Sequence, residues 1–280
     1  MSSPASSADA STRQHGVPTD ATAGPVIAFD HITKYFASTD GQPLEVLRDV
    51  SFVIPRGEIV AILGQSGAGK STLLNLAAGL ITPDQGSVRV LGRDTRETVD
   101  WHRVGYMFQD DRLLPWRVAW RNVALALETD STPAAERKER AHAALGLVGL
   151  GAFANSYPHQ LSGGMRSRVA LARSLVNEPD VLLMDEPFSR LDAQTRGSMH
   201  RELLRVQKLR HVSILFVTHD VEESVVLADR IVVLSPRPGR VHRQVHVTFD
   251  QPRVGTPQTV ALTAELRATL EANNQEEIVS

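Results

Sequence analysis

The chain has 280 residues, 42% of them hydrophobic and 22% charged, with a formal net charge of -2 and no cysteine. That length admits one large domain or two smaller ones with ample core. The near-neutral balance gives no reason to expect bulk nucleic-acid binding, and the lack of cysteine excludes disulfides and thiolate metal sites. No apolar run approaches a membrane span. Residues 1–25, "MSSPASSADASTRQHGVPTDATAGP", are rich in Ser, Ala, Thr and Pro and lack the apolar core of a secretory signal, so they read as a disordered tail.

Folded sequence is expected from Val26. "VIAFDHITKYF" and "VLRDVSFVIP" alternate apolar and polar residues, as strands with one buried face do. "EIVAILG" (Glu58 to Gly64) is more continuously apolar, like a strand covered on both faces. A helix should follow from Lys70 to about Leu80, then a short strand in "GSVRVLG". From about Asp110 to Leu161 the pattern turns helical with few β-branched residues, predicting a helical insertion. "DVLLMDEP" and "VSILFVTHD" are further buried strands, joined by a crossover helix in "DAQTRGSMHRELLRVQKLR", and "RIVVLSPRPGRV" is a strand ending in a Pro/Gly turn. Alternating strands and helices argue for a largely parallel sheet with helices on its faces. Between Asp250 and Ser280 only "TAELRATLEAN" reads as a short helix.

Three stretches carry chemistry. "GQSGAGKST" (Gly64, Gln65, Ser66, Gly67, Ala68, Gly69, Lys70, Ser71, Thr72) is a phosphate loop. Its glycines let consecutive N–H groups turn toward phosphate oxygens, Lys70 adds a charge, and the Ser71 hydroxyl suits Mg²⁺. Asp185 and Glu186 end an apolar strand, where ligands of a parallel sheet gather. Asp185 is placed to hold Mg²⁺ and Glu186 to polarise an attacking water, the alternative being a solvated acidic turn. "LSGGMRSRVALAR" (Leu161 to Arg173) opens a helix whose free N–H groups form an anion site, yet no lysine follows its glycines. His219 and Gln109, each after a strand, are candidates for the same edge. Tyr35 or Phe36 could stack on a purine, with core packing the alternative for both.

In this order the motifs resemble those of the ATP-binding subunits of ABC transporters, over about Val26 to Val241. The resemblance implies an α/β P-loop NTPase (RecA-like) core with an N-terminal antiparallel β subdomain and an inserted α-helical subdomain at about 110–165. The ATPase domain would span 26–245, with a C-terminal extension at 246–280. It implies ATP and Mg²⁺ as ligands, with Mg²⁺ held by Ser71, Gln109 and Asp185, and catalytic roles for Glu186, His219 and Gln109. Phe36 would stack on adenine, with Tyr35 the alternative. Leu161, Ser162, Gly163, Gly164 and Met165 would bind the γ-phosphate held by a second copy, which explains the missing lysine, and Asp192 would lie at that dimer interface.

"LLPW" after Gln109 and "VLSPRPGRV" resemble the nitrate/sulfonate/taurine importer branch. That implies integral-membrane permease partners, contacted near Leu113, Leu114, Pro115 and Trp116. It also implies an extracellular or periplasmic solute-binding protein acting indirectly, no nucleic acid, and a place on the cytoplasmic face of the membrane. The alternative is a soluble ABC ATPase acting on nucleic acid or ribosomes. Three residues depart from the family pattern: Ser167 for glutamine, Arg190 for a small residue, and Asp111 as a second acid after Gln109. Arg190 is expected to alter closure or to pair with a carboxylate.

Overall fold

A computed structural model describes residues 24–38, 41–129 and 131–279, with side chains to 273. Most of the expected disordered tail lies outside the described residues. In chain order the elements are β1 (Ile27–Ala37), β2 (Pro43–Ile54), β3 (Ile59–Leu63), α1 (Lys70–Ala77), β4 (Gln85–Val90), β5 (Arg93–Asp94) and β6 (Val104–Met107). Then come α2 (Ala119–Ala124), α3 (Ala134–Leu147), α4 (Gly163–Leu175), β7 (Val181–Asp185), α5 (Ala193–Arg210) and β8 (Ser213–Thr218). The last are α6 (Val221–Leu227), β9 (Arg230–Leu234), β10 (Val241–His246) and α7 (Pro257–Val279).

The strands form two sheets. One is antiparallel in the order β2-β1-β4-β5; the other runs β10-β9-β3-β8-β7-β6, with β9 to β6 parallel and β10 antiparallel at the edge. Every residue of β3 and β8 is buried, which is what a central parallel strand covered on both faces requires. Successive side chains go to opposite faces. Ile59, Ala61 and Leu63 of β3, with Leu182 and Met184 of β7, join the core beneath the helices α2 to α6. Val60 and Ile62, with Val181 and Leu183, join the core shared with α1 and the antiparallel sheet. Two apolar cores therefore clamp one sheet.

Strand order positions the site. β8 lies between β3 and β7, with Leu63 opposite Thr218 and Val217 opposite Asp185, while Met107 of β6 is opposite Met184 of β7. The carboxyl ends of four parallel strands, and the loops leaving them, stand side by side. The helical insertion between β6 and β7 packs α2 and α3 against each other and against α4, and α4 also packs on β6.

Two element lengths differ from expectation. α1 stops at Ala77 instead of Leu80, because Gly79 takes a left-handed φ of 66°. The C-terminal helix runs over 23 residues rather than the short segment read from sequence. Leu266 is fully buried and Leu262 and Leu270 pack beside it, so a stripe at four-residue spacing docks on the core and carries the helix past its asparagines.

Candidate functional site

The phosphate loop leaves β3 and ends in α1. Gly69 sits at the N-cap with φ 87°, and a Cβ there would come within 2.5 Å of Leu47 Cδ2, so only glycine suits both the backbone and the packing. Lys70 is 5% exposed. Its ammonium donates to the carbonyl oxygens of Gly64 (2.9 Å) and Gln65 (2.7 Å) and lies 3.8 Å from Glu186 Oε1. Burial pulls the Lys70 pKa below the usual lysine range, with Glu186 and Asp185 opposing the shift.

The Ser71 hydroxyl donates to Asp185 Oδ1 at 2.9 Å. Burial pushes the Asp185 pKa up, against that hydrogen bond. A hydroxyl and a carboxylate side by side are hard oxygen donors suited to a small divalent cation. Among the described residues no group of three or more His, Cys, Asp or Glu could hold a metal.

Glu186 has a left-handed φ of 42°, uncommon for a non-glycine residue and a mark of backbone strain. Its amide donates to Val217 O at 3.1 Å, which fixes the turn against β8. Its carboxylate lies 3.1 Å from His219 Nδ1, a contact that needs the proton on that nitrogen. Gln109 Nε2 lies 3.3 Å from Ser189 Oγ and 3.5 Å from Glu186 Oε2. The Gln109 amide thus engages the turn after β7. Lys70, Ser71, Gln109, Asp185, Glu186 and His219 are all brought to one edge.

Phe36 and Tyr35 are both partly exposed. Tyr35 is engaged, its hydroxyl donating to Glu45 and its amide to Asp84. Phe36 carries Lys34 Nζ over its ring at 5.5 Å and pairs with Leu44, three residues along β2 from the Leu47 that packs on Gly69.

The glycine pair lies elsewhere. Ser162 caps α4, its hydroxyl accepting from Met165 N at 3.2 Å. Ser162 and Gly163 are exposed, Leu161 is buried, and Gly164 and Met165 are half-buried. A Cβ on Gly164 would meet Thr195 Cγ2 at 2.3 Å, so the helix start is set tightly against α5. Among the described residues, no hydrogen bond from 161–165 reaches the phosphate loop. Ser167 turns its hydroxyl back to Gly163 O at 3.2 Å. Asp192 caps α5, accepting from Gln194 N (3.1 Å) and Thr195 N (3.0 Å). Hydrogen bonds from Thr195 hold its pKa below the usual carboxylate range.

Neighbouring acids tie these parts together. Arg190 pairs with Asp110, the residue after Gln109. Asp111 accepts from Arg166 of α4 at 3.0 Å, and its carbonyl from Arg173 at 2.6 Å. Sequence reasoning missed two contributors. Ser189 receives Gln109, and the turn after β9 seats Arg237 on Gly67 O (3.4 Å) while Gly239 N donates to Val46 O (2.9 Å). The Pro/Gly run marked that turn, but only its place over the phosphate loop gives it meaning.

A phosphate loop on one strand, acids at the end of a second and a histidine at the end of a third define a P-loop ATPase. A family model described as ABC transporter matches residues 47–189. A taurine import ATP-binding protein of Rhizobium johnstonii is 40% identical over 254 residues, 88% of this chain and 96% of that protein. An aliphatic sulfonates import ATP-binding protein of Bacillus thuringiensis is 36% identical over 83% of this chain and 90% of its own length. A nitrate import ATP-binding protein of Synechococcus elongatus is 42% identical over 81% of this chain, which spans 35% of that longer protein. A dimeric bacterial ABC transporter cassette superposes with a TM-score of 0.71 at 32% identity, over 80% of this chain and all of that one. The chain belongs to the ABC transporter family, as an ATP-hydrolysing cassette.

Proposed function

We propose that this chain is the energy-coupling ATPase of a membrane importer for a small solute such as taurine, an alkyl sulfonate or nitrate. The observation that carries the reading is the single edge on which Lys70, Ser71, Asp185, Glu186 and His219 converge. Glu186 is the general base: its carboxylate takes a proton from the water that attacks the γ-phosphate. His219 Nδ1, at 3.1 Å, keeps that carboxylate turned toward the substrate. Lys70, now satisfied by two loop carbonyls, transfers its hydrogen bonds to phosphate oxygens on ATP binding. Ser71 and Asp185 would be the protein ligands for Mg²⁺, with Gln109 joining from the loop after β6. When bound, that ion neutralises charge on the β- and γ-phosphates. Phe36 stacks on adenine.

The helix start at Ser162–Gly164, exposed at Ser162 and Gly163, serves the ATP held by a second copy, with Leu161 and Met165 anchoring it and Asp192 at the seam. Two chains then share two sites in a symmetric homodimer. Support comes from the separation of the glycine pair from its own phosphate loop, and from the dimeric solved cassettes of similar fold. A permease subunit docks beside Gln109. Support is an open, mainly apolar cleft of about 360 Å³ lined by Gly79, Leu80, Trp101, Tyr106 and Phe108. Leu80 and Trp101 are 62% and 38% exposed there. The run ending at Trp116 offers a further apolar surface, with Trp116 72% exposed while Leu113 packs against the core. Among the described residues no helix is long and apolar enough to cross a membrane, so attachment to its cytoplasmic face runs through that permease. A solute-binding protein acts on the permease, not on this chain.

The decisive experiment deletes the gene and measures growth and labelled-solute uptake on taurine, alkyl sulfonates and nitrate as sole sulfur or nitrogen sources. Loss of uptake of one of them, restored by the wild-type chain and not by Glu186→Gln, supports the reading. Unimpaired uptake of all of them refutes the solute class.

A further inference from the structure

Behind His219 lies a buried polar cluster that the mechanism above does not use. We propose that Thr218, Glu223 and His200 form a hydrogen-bonded network that positions His219 against Glu186, which makes all three positioning residues for hydrolysis. The inference rests on the reading of Glu186 and His219 as the hydrolytic pair.

Thr218, Glu223 and His200 are only 2%, 5% and 9% exposed. The Thr218 hydroxyl donates to Glu223 Oε2 and accepts from Asp220 N at 3.0 Å. The residues on either side of His219 are thus tied through one oxygen. The other Glu223 oxygen lies 3.4 Å from His200 Nε2, on α5. Asp220 extends the tie by capping α6 at Glu223 N (3.1 Å) and meeting Arg196 of α5 (3.4 Å).

His200 also faces the other half of the pair. Its ring meets Phe188 edge-on, with centroids 4.8 Å apart. Phe188 is fully buried two residues after Glu186. One imidazole therefore touches both the segment that carries Glu186 and the carboxylate that holds the turn carrying His219. A cleft of about 260 Å³ lined by Arg196, His200, Asp220 and Glu223 separates α5 from α6 at this level. Beside that cleft the His200–Glu223 and Arg196–Asp220 contacts cross between the two helices. Burying a carboxylate is unfavourable unless its oxygens are bonded. An apolar residue at 223 would fill the space more easily but could not fix the direction of the Thr218 hydroxyl. The His219–Glu186 distance thus depends on a register set behind it, and small displacements of reacting groups have large kinetic effects.

The test uses the full-length chain. Thr218→Val keeps shape and removes the hydroxyl. It should lower kcat for ATP by about tenfold while KM for ATP stays within about twofold, because no phosphate-loop group is touched. Thr218→Ser, which restores the hydroxyl, should return kcat to within about twofold of wild type. His200→Leu should behave like Thr218→Val, and His200→Gln, which keeps an N–H donor, like Thr218→Ser. Imidazole NMR, with the His219 signal assigned through His219→Gln, should show that signal displaced in Thr218→Val and restored in Thr218→Ser. Wild-type kcat with an unmoved His219 signal in Thr218→Val overturns the proposal, and so does a loss that Thr218→Ser fails to repair. A wild-type chain without ATPase activity would instead refute the hydrolytic roles of Glu186 and His219, and the NMR comparison then decides the network by itself.

Discussion

Asn122 tests how the helical insertion holds its shape. It is fully buried in α2 and acts as a hub for the preceding turn. Its Oδ1 accepts from Leu114 N at 2.7 Å, and its Nδ2 donates to Arg117 O at 2.8 Å and to Leu114 O at 3.2 Å. Leucine has nearly the same volume, so Asn122→Leu removes the polar ties without opening a large cavity. Leu114 O and Val118 O keep backbone donors, from Arg117 N and Asn122 N. Leu114 N–H and Arg117 C=O lose the partner they depend on. A fully buried group stranded in this way costs about 1–3 kcal/mol. Both groups belong to half-buried residues, so the two-group sum of about 2–6 kcal/mol is discounted to about 2–4 kcal/mol, or roughly 5–10 °C in Tm for a chain of this size. Urea unfolding and thermal melts followed by circular dichroism measure it. ATP affinity should stay unchanged, because Asn122 touches no group of the phosphate loop. A destabilisation below about 0.5 kcal/mol would refute the reasoning, since that is the range of an ordinary surface substitution.

Other outcomes follow from the site. Glu186→Gln should retain ATP binding, lower turnover by roughly 10²–10⁴-fold and trap an ATP-bound dimer on gel filtration; wild-type turnover would remove Glu186 as the base. Mixing a Lys70→Ala chain with a Ser162→Ala chain should recover activity that neither has alone, because the mixed dimer keeps one intact composite site. Full hydrolysis by a monomer would exclude sharing. Asp185→Asn should raise the Tm of the nucleotide-free chain at neutral pH while weakening Mg²⁺-dependent ATP binding. The sign follows from burial: a carboxyl whose folded pKa lies above its ordinary value costs stability above that folded pKa, and the cost fades as pH falls toward 3.8. A gain from Asp185→Asn that does not shrink on acidification would contradict this. The Arg190–Asp110 pair is 65% and 51% exposed, so a double-mutant cycle should give no more than about 1 kcal/mol of coupling. Any larger role would appear as a changed ATPase rate in Arg190→Ala that the charge-reversed pair repairs.

The chemistry of the phosphate loop was legible in sequence because it is local. Consecutive N–H groups, glycines free to turn and one lysine are enough to hold a phosphate, and all lie within nine residues. The apolar runs within β3, β7 and β8 likewise announce strands covered on both faces, since burial acts residue by residue. The glycine pair at 163–164 was legible as a helix-start anion site for the same reason, while its sharing with a second copy was implied only by the family resemblance.

What tertiary structure decided is adjacency. Nothing local to "SILFVT" says that β8 lies between β3 and β7, yet that order alone brings His219 to 3.1 Å from Glu186. Arg190 was legible as a cation that alters closure or pairs with a carboxylate, but not which one; its partner Asp110 lies eighty positions away in sequence. The apolar cleft of Leu80, Trp101 and Phe108 joins three segments, none of them unusual alone. α7 runs on because Leu266 finds a core that no window of its own sequence contains. Periodicity reports which face of a segment is buried; what it is buried against depends on strand order and side-chain fit between distant segments, which exist only in the folded chain.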